Sequence, residues 1–247
     1  MQTVKSKIKN FIYYYKWHML IIAFFVTVIS VMVHQMVTRE EYDIRILYAG
    51  QKIFSEAELT AVPDALTQLG EDYDGNGEKT AQMFDLIIMT DEELNEAYEM
   101  GYNPYYLNGS TVKENRDTLT FHAMANEFTL LFLSPDNYNL LRNHNLLVKL
   151  ADLGYGEELP AAAMDDYAIL LKDLDASVFF SGIGCFPDDT VMCIKRISES
   201  KDGKSKADKL QQDHIDLFKK IVAFKLPADY VPPSQQENGA GGEQPAA

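Results

Sequence analysis

Nineteen consecutive residues, Met19 to Val37 (MLIIAFFVTVISVMVHQMV), carry no acidic or basic side chain except His34. At a rise of ~1.5 Å per residue, a helix of that length spans roughly 28 Å, the thickness of a bilayer's hydrocarbon core. Lys5, Lys7, Lys9 and Lys16 precede the run, and Tyr13, Tyr14, Tyr15 and Trp17 stand just before it. Amphipathic rings settle at the headgroup level and the positive flank stays in the cytoplasm. The sequence therefore predicts a cytoplasmic basic and aromatic segment over 1–18, a single transmembrane helix over 19–37, and everything after Val37 outside the cytoplasm. A cleaved signal peptide would have a shorter apolar core followed by small residues. Val33-His34-Gln35-Met36-Val37 offers no small pair, and no cysteine follows the run for a lipid anchor. A buried core helix would have shown a polar face.

The residues after the anchor are enough for one domain with its own core. Residues 1–37 hold four lysines and no acid, so the remainder has 18 Lys+Arg against 37 Asp+Glu, a net charge of −19. So acidic a surface is a poor match for nucleic acid or anionic headgroups, because both need Lys/Arg clusters. Two cysteines, Cys185 and Cys193, are too few for a disulfide-built scaffold, and no Cys/His metal spacing occurs.

Tyr42 to Gly50 alternates apolar and polar residues, as a strand does. Ser55 with Glu58, and Thr90 with Glu93, form two capping boxes that open helices. In the first helix Pro63 predicts a kink or a later start. Phe84–Met89 reads as a short apolar strand and Phe128–Leu133 as a strand buried on both faces, with a helix from about Lys113 to Glu127 between them. Ser134-Pro135-Asp136 opens another helix, to about His144. Tyr167–Leu171 and Val178–Ile183 read as strands, one of which pairs with Val191–Ile197 across Pro187-Asp188-Asp189-Thr190. Ala207–Phe224 is amphipathic. The Pro, Ser, Gln, Asn, Gly and Ala run over 227–247 predicts a disordered tail. Strands separated by helices give an α/β domain over 38–226 with a mixed sheet.

Leu131-Phe132-Leu133-Ser134-Pro135-Asp136-Asn137-Tyr138, followed by Asn145 to Leu150, resembles a segment of type 2 periplasmic, or extracellular, solute-binding proteins. With the Tyr14–His18 border, Tyr167–Asp173 and Pro187–Val191, the chain more closely resembles poorly characterised membrane-anchored extracytoplasmic proteins of Gram-positive bacteria. The resemblance implies a tethered solute-binding-like module. The chain outside the membrane has room for little more than one of the two lobes of a full solute-binding protein.

The sharpest local pattern is Asp72-Tyr73-Asp74-Gly75-Asn76-Gly77-Glu78, the first half of a D-x-[DN]-x-[DN]-G calcium loop. Asp72, Asp74 and Asn76 would offer side-chain oxygens and Glu78 its carbonyl. The twelfth position, where a bidentate Glu belongs, is Met83, so calcium is expected to bind weakly at best. Turns favour the same residues without a metal. Asp165, Asp166, Asp173, Asp175, Asp188 and Asp189 admit a paired-carboxylate reading for hydrolysis, although Asp is ordinary at strand ends. His122, His144 and His214 have no metal-ligand spacing, and no nucleophile elbow, P-loop or dinucleotide fingerprint occurs. A three-residue loop at 188–190 would set Cys185 opposite Cys193, whereas a two-residue loop would turn them to opposite faces.

These features point to a non-enzymatic binding, sensing or accessory module of the cell envelope, with no resident cofactor. Its partners would be the membrane and an extracellular small molecule or a membrane protein. An envelope hydrolase built on Asp173 and Asp188, or a scaffold docking a membrane protein, are the alternative readings.

Overall fold

A computed structural model describes residues 2–37, 42–103, 107–156, 158–197 and 204–230. The chain divides into two units, Met1–Glu41 and Tyr42–Ala247. The first is helix α1, Gln2–Val37. Its stretch Tyr13–Val33 is long and apolar enough to cross a membrane, and none of it is buried among the described residues. The helix starts far ahead of Met19, so the basic and aromatic segment shares it.

The second unit is α/β. Strands β1 (Ile44–Gly50), β2 (Ala81–Ile87), β3 (Leu130–Leu133), β4 (Ala168–Leu170) and β5 (Val191–Ile194) form one mixed sheet in the order β2-β1-β3-β5-β4. β1 runs parallel to β2 and β3, and β5 is antiparallel to β3 and β4. The helices are α2 (Glu56–Leu69), α3 (Asp91–Glu99), α4 (Gly109–Met124), α5 (Pro135–Asn143), α6 (Asp175–Phe179), α7 (Ser181–Gly184) and α8 (Lys204–Ala223), with 3-10 turns at Leu150–Leu153 and Leu171–Asp173.

Register places alternate residues of β1, β3, β5 and β4 in common rows. Tyr48, Phe132, Met192 and Ile169 form one row, facing Val62 and Leu66 of α2, Ile183 of α7, and Leu217, Phe218 and Ile221 of α8. The adjacent row, Leu47, Leu131, Cys193 and Ala168, faces Leu119 and Ala123 of α4 and Tyr138 and Leu141 of α5. With helices on both faces, β3 has no solvent side, which is why LLFL shows no alternation.

Both capping boxes form, and the Ser55 box opens α2 with Pro63 inside the helix. Three expectations need correction. The helix placed from Lys113 starts at Gly109, because Asn108 Oδ1 accepts from Thr111 N and caps it. The strand expected over Val178–Ile183 is instead the end of α6 and the start of α7. Its β-rich composition loses to packing: α7 lies so close to α2 that a Cβ on Gly182 would stand 2.0 Å from Ala61 O. β5 therefore has no hairpin partner across Pro187–Thr190 and pairs with β3 and β4. The cysteines consequently belong to opposite sides of the sheet, Cys193 with the α4–α5 core and Cys185 beside the α2–α7 core, and both are free thiols. Of the tail expected to be disordered over 227–247, residues 227–230 close in a turn, with Tyr230 N donating to Pro227 O at 3.0 Å, and the rest, like the loop tyrosines Tyr105 and Tyr106, lie outside the described residues.

Candidate functional site

The strand order places a crevice at one end of the sheet. The chain leaves β1 through α2 on one face, and after β3 it continues into α5 on the other. Where neighbouring parallel strands send their connections to opposite faces, a gap opens beyond their carboxyl ends, the usual ligand position in open α/β sheets. A cleft of about 120 Å³ lies there. Its walls are Gln51 after β1, Ile88, Met89 and Thr90 after β2, Glu93 of α3, Arg116 of α4, Ser134 to Asn137 after β3, and Asp189 before β5.

Backbone bonds fix these walls. Ile88 N donates to Gly50 O at 2.9 Å and Ser134 N to Ala49 O at 2.9 Å, so the turns after β2 and β3 are tied to the end of β1. A Cβ on Gly50 would press on the hydroxyl end of the buried Tyr48 ring, which would have to shift to admit it. That hydroxyl accepts from Lys52 N at 3.1 Å, and burial raises its pKa. Asn115 Nδ2 donates to Ile87 O at 2.8 Å and holds α4, with its exposed Arg116, over the end of β2. Ser134 does not cap α5 in the expected way: its Oγ accepts from Asn137 Nδ2 at 3.0 Å, and the same amide reaches Ala49 O at 3.2 Å. Pro135 has no N–H and Tyr138 N bonds Ser134 O, so the N–H groups of Asp136 and Asn137 have no partner within the helix. The cleft thus offers carboxylates, an amide oxygen, a hydroxyl, helix-end N–H groups and one guanidinium.

The calcium-like loop is a second candidate. Asp72 Oδ1 accepts from Gly75 N and Asn76 N, and its Oδ2 from Gly77 N; these bonds hold its carboxyl below the usual carboxylate range. Asp74 accepts from the backbone and side-chain nitrogens of Asn76, and Asn76 Oδ1 from Glu78 N. The sequence did not suggest Asp43, which precedes β1 and approaches Asp72 and Asp74 closely enough for three carboxylate oxygens to lie within 4.8 Å. Asp43 is buried and accepts from Tyr73 N, Asp74 N and Thr80 N, so it organises the loop whether or not a cation is there.

The remaining acids have other surroundings. Asp165 accepts the Tyr138 hydroxyl and the Tyr167 and Ala168 N–H groups and pairs with Arg142 at 2.8 Å, fastening α5 to the start of β4. Asp173 ends a 3-10 turn and Asp188 lies in the turn before β5; of the six acids proposed as a catalytic set, Asp189 alone lines the cleft. Burial pushes the Cys185 thiol up to about 11 and the Cys193 thiol higher still, the reverse of what a nucleophile needs.

Most cleft residues escaped the sequence reading, because it could locate strands but not their order across the sheet. Asp189 was flagged for a different role. Comparison with protein-family models, with curated proteins and with solved structures finds no match.

Proposed function

We propose that this protein is a membrane-tethered binding module, anchored by α1 with its α/β unit outside the cytoplasm, which captures a small polar solute at the carboxyl ends of β1 and β3. The observation that carries the reading is the polar cleft where the connections after β1 and β3 part to opposite faces. Its walls hold hydrogen-bonding groups fixed from five separate segments, as recognition of a small molecule requires. The reading is non-catalytic, and the Asp173/Asp188 pair expected of a hydrolase does not line the cleft.

Two experiments test it. Protease added to intact cells should remove the acidic unit and leave a membrane-protected stub; a protected full-length chain would overturn the orientation. Hydrogen exchange of the full-length chain in lipid nanodiscs, with sugars, amines and carboxylates added in turn, should show protection around residues 51, 88–93, 134–137 and 189. Protection confined to other segments, or none with any solute, would end the cleft reading.

A further inference from the structure

We infer that the cleft takes a small organic monocation, a protonated primary amine that also carries hydroxyl groups; this rests on the cleft being the binding site. Charge makes the first selection. Glu93, Asp136 and Asp189 line the walls against the one guanidinium of Arg116. A helix N-terminus adds only about half a positive charge. That of α3 is already met by its own capping box, in which Glu93 Oε2 accepts from Thr90 N at 2.7 Å. Counting half a charge for each of the α3 and α5 ends leaves the walls about one charge negative. An anion meets repulsion there, a zwitterion leaves the excess uncompensated, and one positive charge offsets it. The net charge of −19 after the anchor raises the local concentration of cations further.

A buried side chain makes the second selection. Asn137 is 3% exposed and lines the cleft, with Nδ2 engaged by Ala49 O and Ser134 Oγ. Its Oδ1 takes no hydrogen bond from the described residues and, unlike Arg45 Nε and Thr190 Oγ1, is not sealed off from solvent, so a donor entering the cleft can reach it. An ammonium group brings three donors and no acceptor. It can bond Asn137 Oδ1 while meeting the charge of Asp136 and Asp189. Ser134 Oγ accepts from Asn137, so its own proton is left to donate, as are the N–H groups of Asp136 and Asn137. These donors suit hydroxyl oxygens. Arg116 is then the adverse group, which distinguishes this ligand from a carboxylate-bearing one.

The test is calorimetric titration of the full-length chain in nanodiscs of neutral lipid, with ethanolamine, glucosamine, glucose and acetate at matched ionic strength. The two amines should bind on the order of tenfold tighter than glucose, as expected for one hydrogen bond to a charged group, and acetate should not bind. Asp189→Asn should weaken amine binding several-fold. Arg116→Gln should tighten it. The second variant changes an exposed side chain, so it decides the matter even if the first misfolds. Glucose or acetate binding as well as the amines, or weaker amine binding in Arg116→Gln, overturns the cationic ligand and leaves the cleft as a site. No heat from any probe, with no exchange protection around the cleft, overturns both.

Discussion

His214 shows how much one side chain of α8 holds. It is fully buried, and its Nε2 accepts from Arg45 N at 3.2 Å, so the neutral ring carries its proton on Nδ1, 2.6 Å from Thr129 Oγ1. The ring therefore joins the starts of β1 and β3 beside the first rung of their ladder. Burial, with the Arg45 guanidinium adding to it, lowers its pKa to about 3. The unfolded chain binds this proton near pH 6.5 and the folded chain does not. His214 thus contributes fully above about 6.5, and stability falls as pH drops toward 3, by up to ~1.4 kcal/mol per pH unit. Urea unfolding at pH 7 and pH 5 should show that loss in the natural protein. His214→Gln should be less stable at pH 7 yet lose less between the two. The cysteines give a second residue-level expectation. Intact unreduced protein should show no two-dalton deficit, and iodoacetamide should reach half-buried Cys185 well before Cys193, which should react only on unfolding.

At the scale of elements, what could be read from the sequence was local chemistry. Ser55 with Glu58 and Thr90 with Glu93 each specify a helix start within four residues, and both form as read. Pro135 likewise marked the start of α5. Val178–Ile183 was misread because its conformation is set by contact with Ala61 and Val62, more than a hundred residues earlier. Gly182→Ala should therefore cost about 1–3 kcal/mol by overpacking, measured by urea unfolding. Gly109→Ala should be near neutral, since its Cβ would lie 3.6 Å from Leu94 Cδ2, an ordinary contact. In the acidic loop, the spacing of Asp72, Asp74 and Asn76 was visible, but Asp43 was not, because nothing in the sequence ties the start of β1 to that turn. Calcium titration should give a dissociation constant no tighter than roughly millimolar, since the carboxylates already accept backbone N–H bonds. Micromolar binding lost in Asp74→Ala would contradict this.

At the scale of the molecule, the class of fold followed from strands separated by helices, and the site did not, because the cleft depends on the order β2-β1-β3-β5-β4. That order also bears on how the chain is made. β3 sits in the middle of the sheet, yet one of its two neighbours, β5, is synthesised some sixty residues later, and α8, whose Leu217, Phe218 and Ile221 are fully buried, later still. A nascent chain that has emerged only through α5 has β1, β2 and β3 in hand. It leaves one edge of LLFL bare and the core face beneath α8 open, a condition that invites proteases and aggregation. Termination anywhere between β3 and the end of α8 would then yield no smaller working version of the protein, only fragments for the cell's quality control to clear.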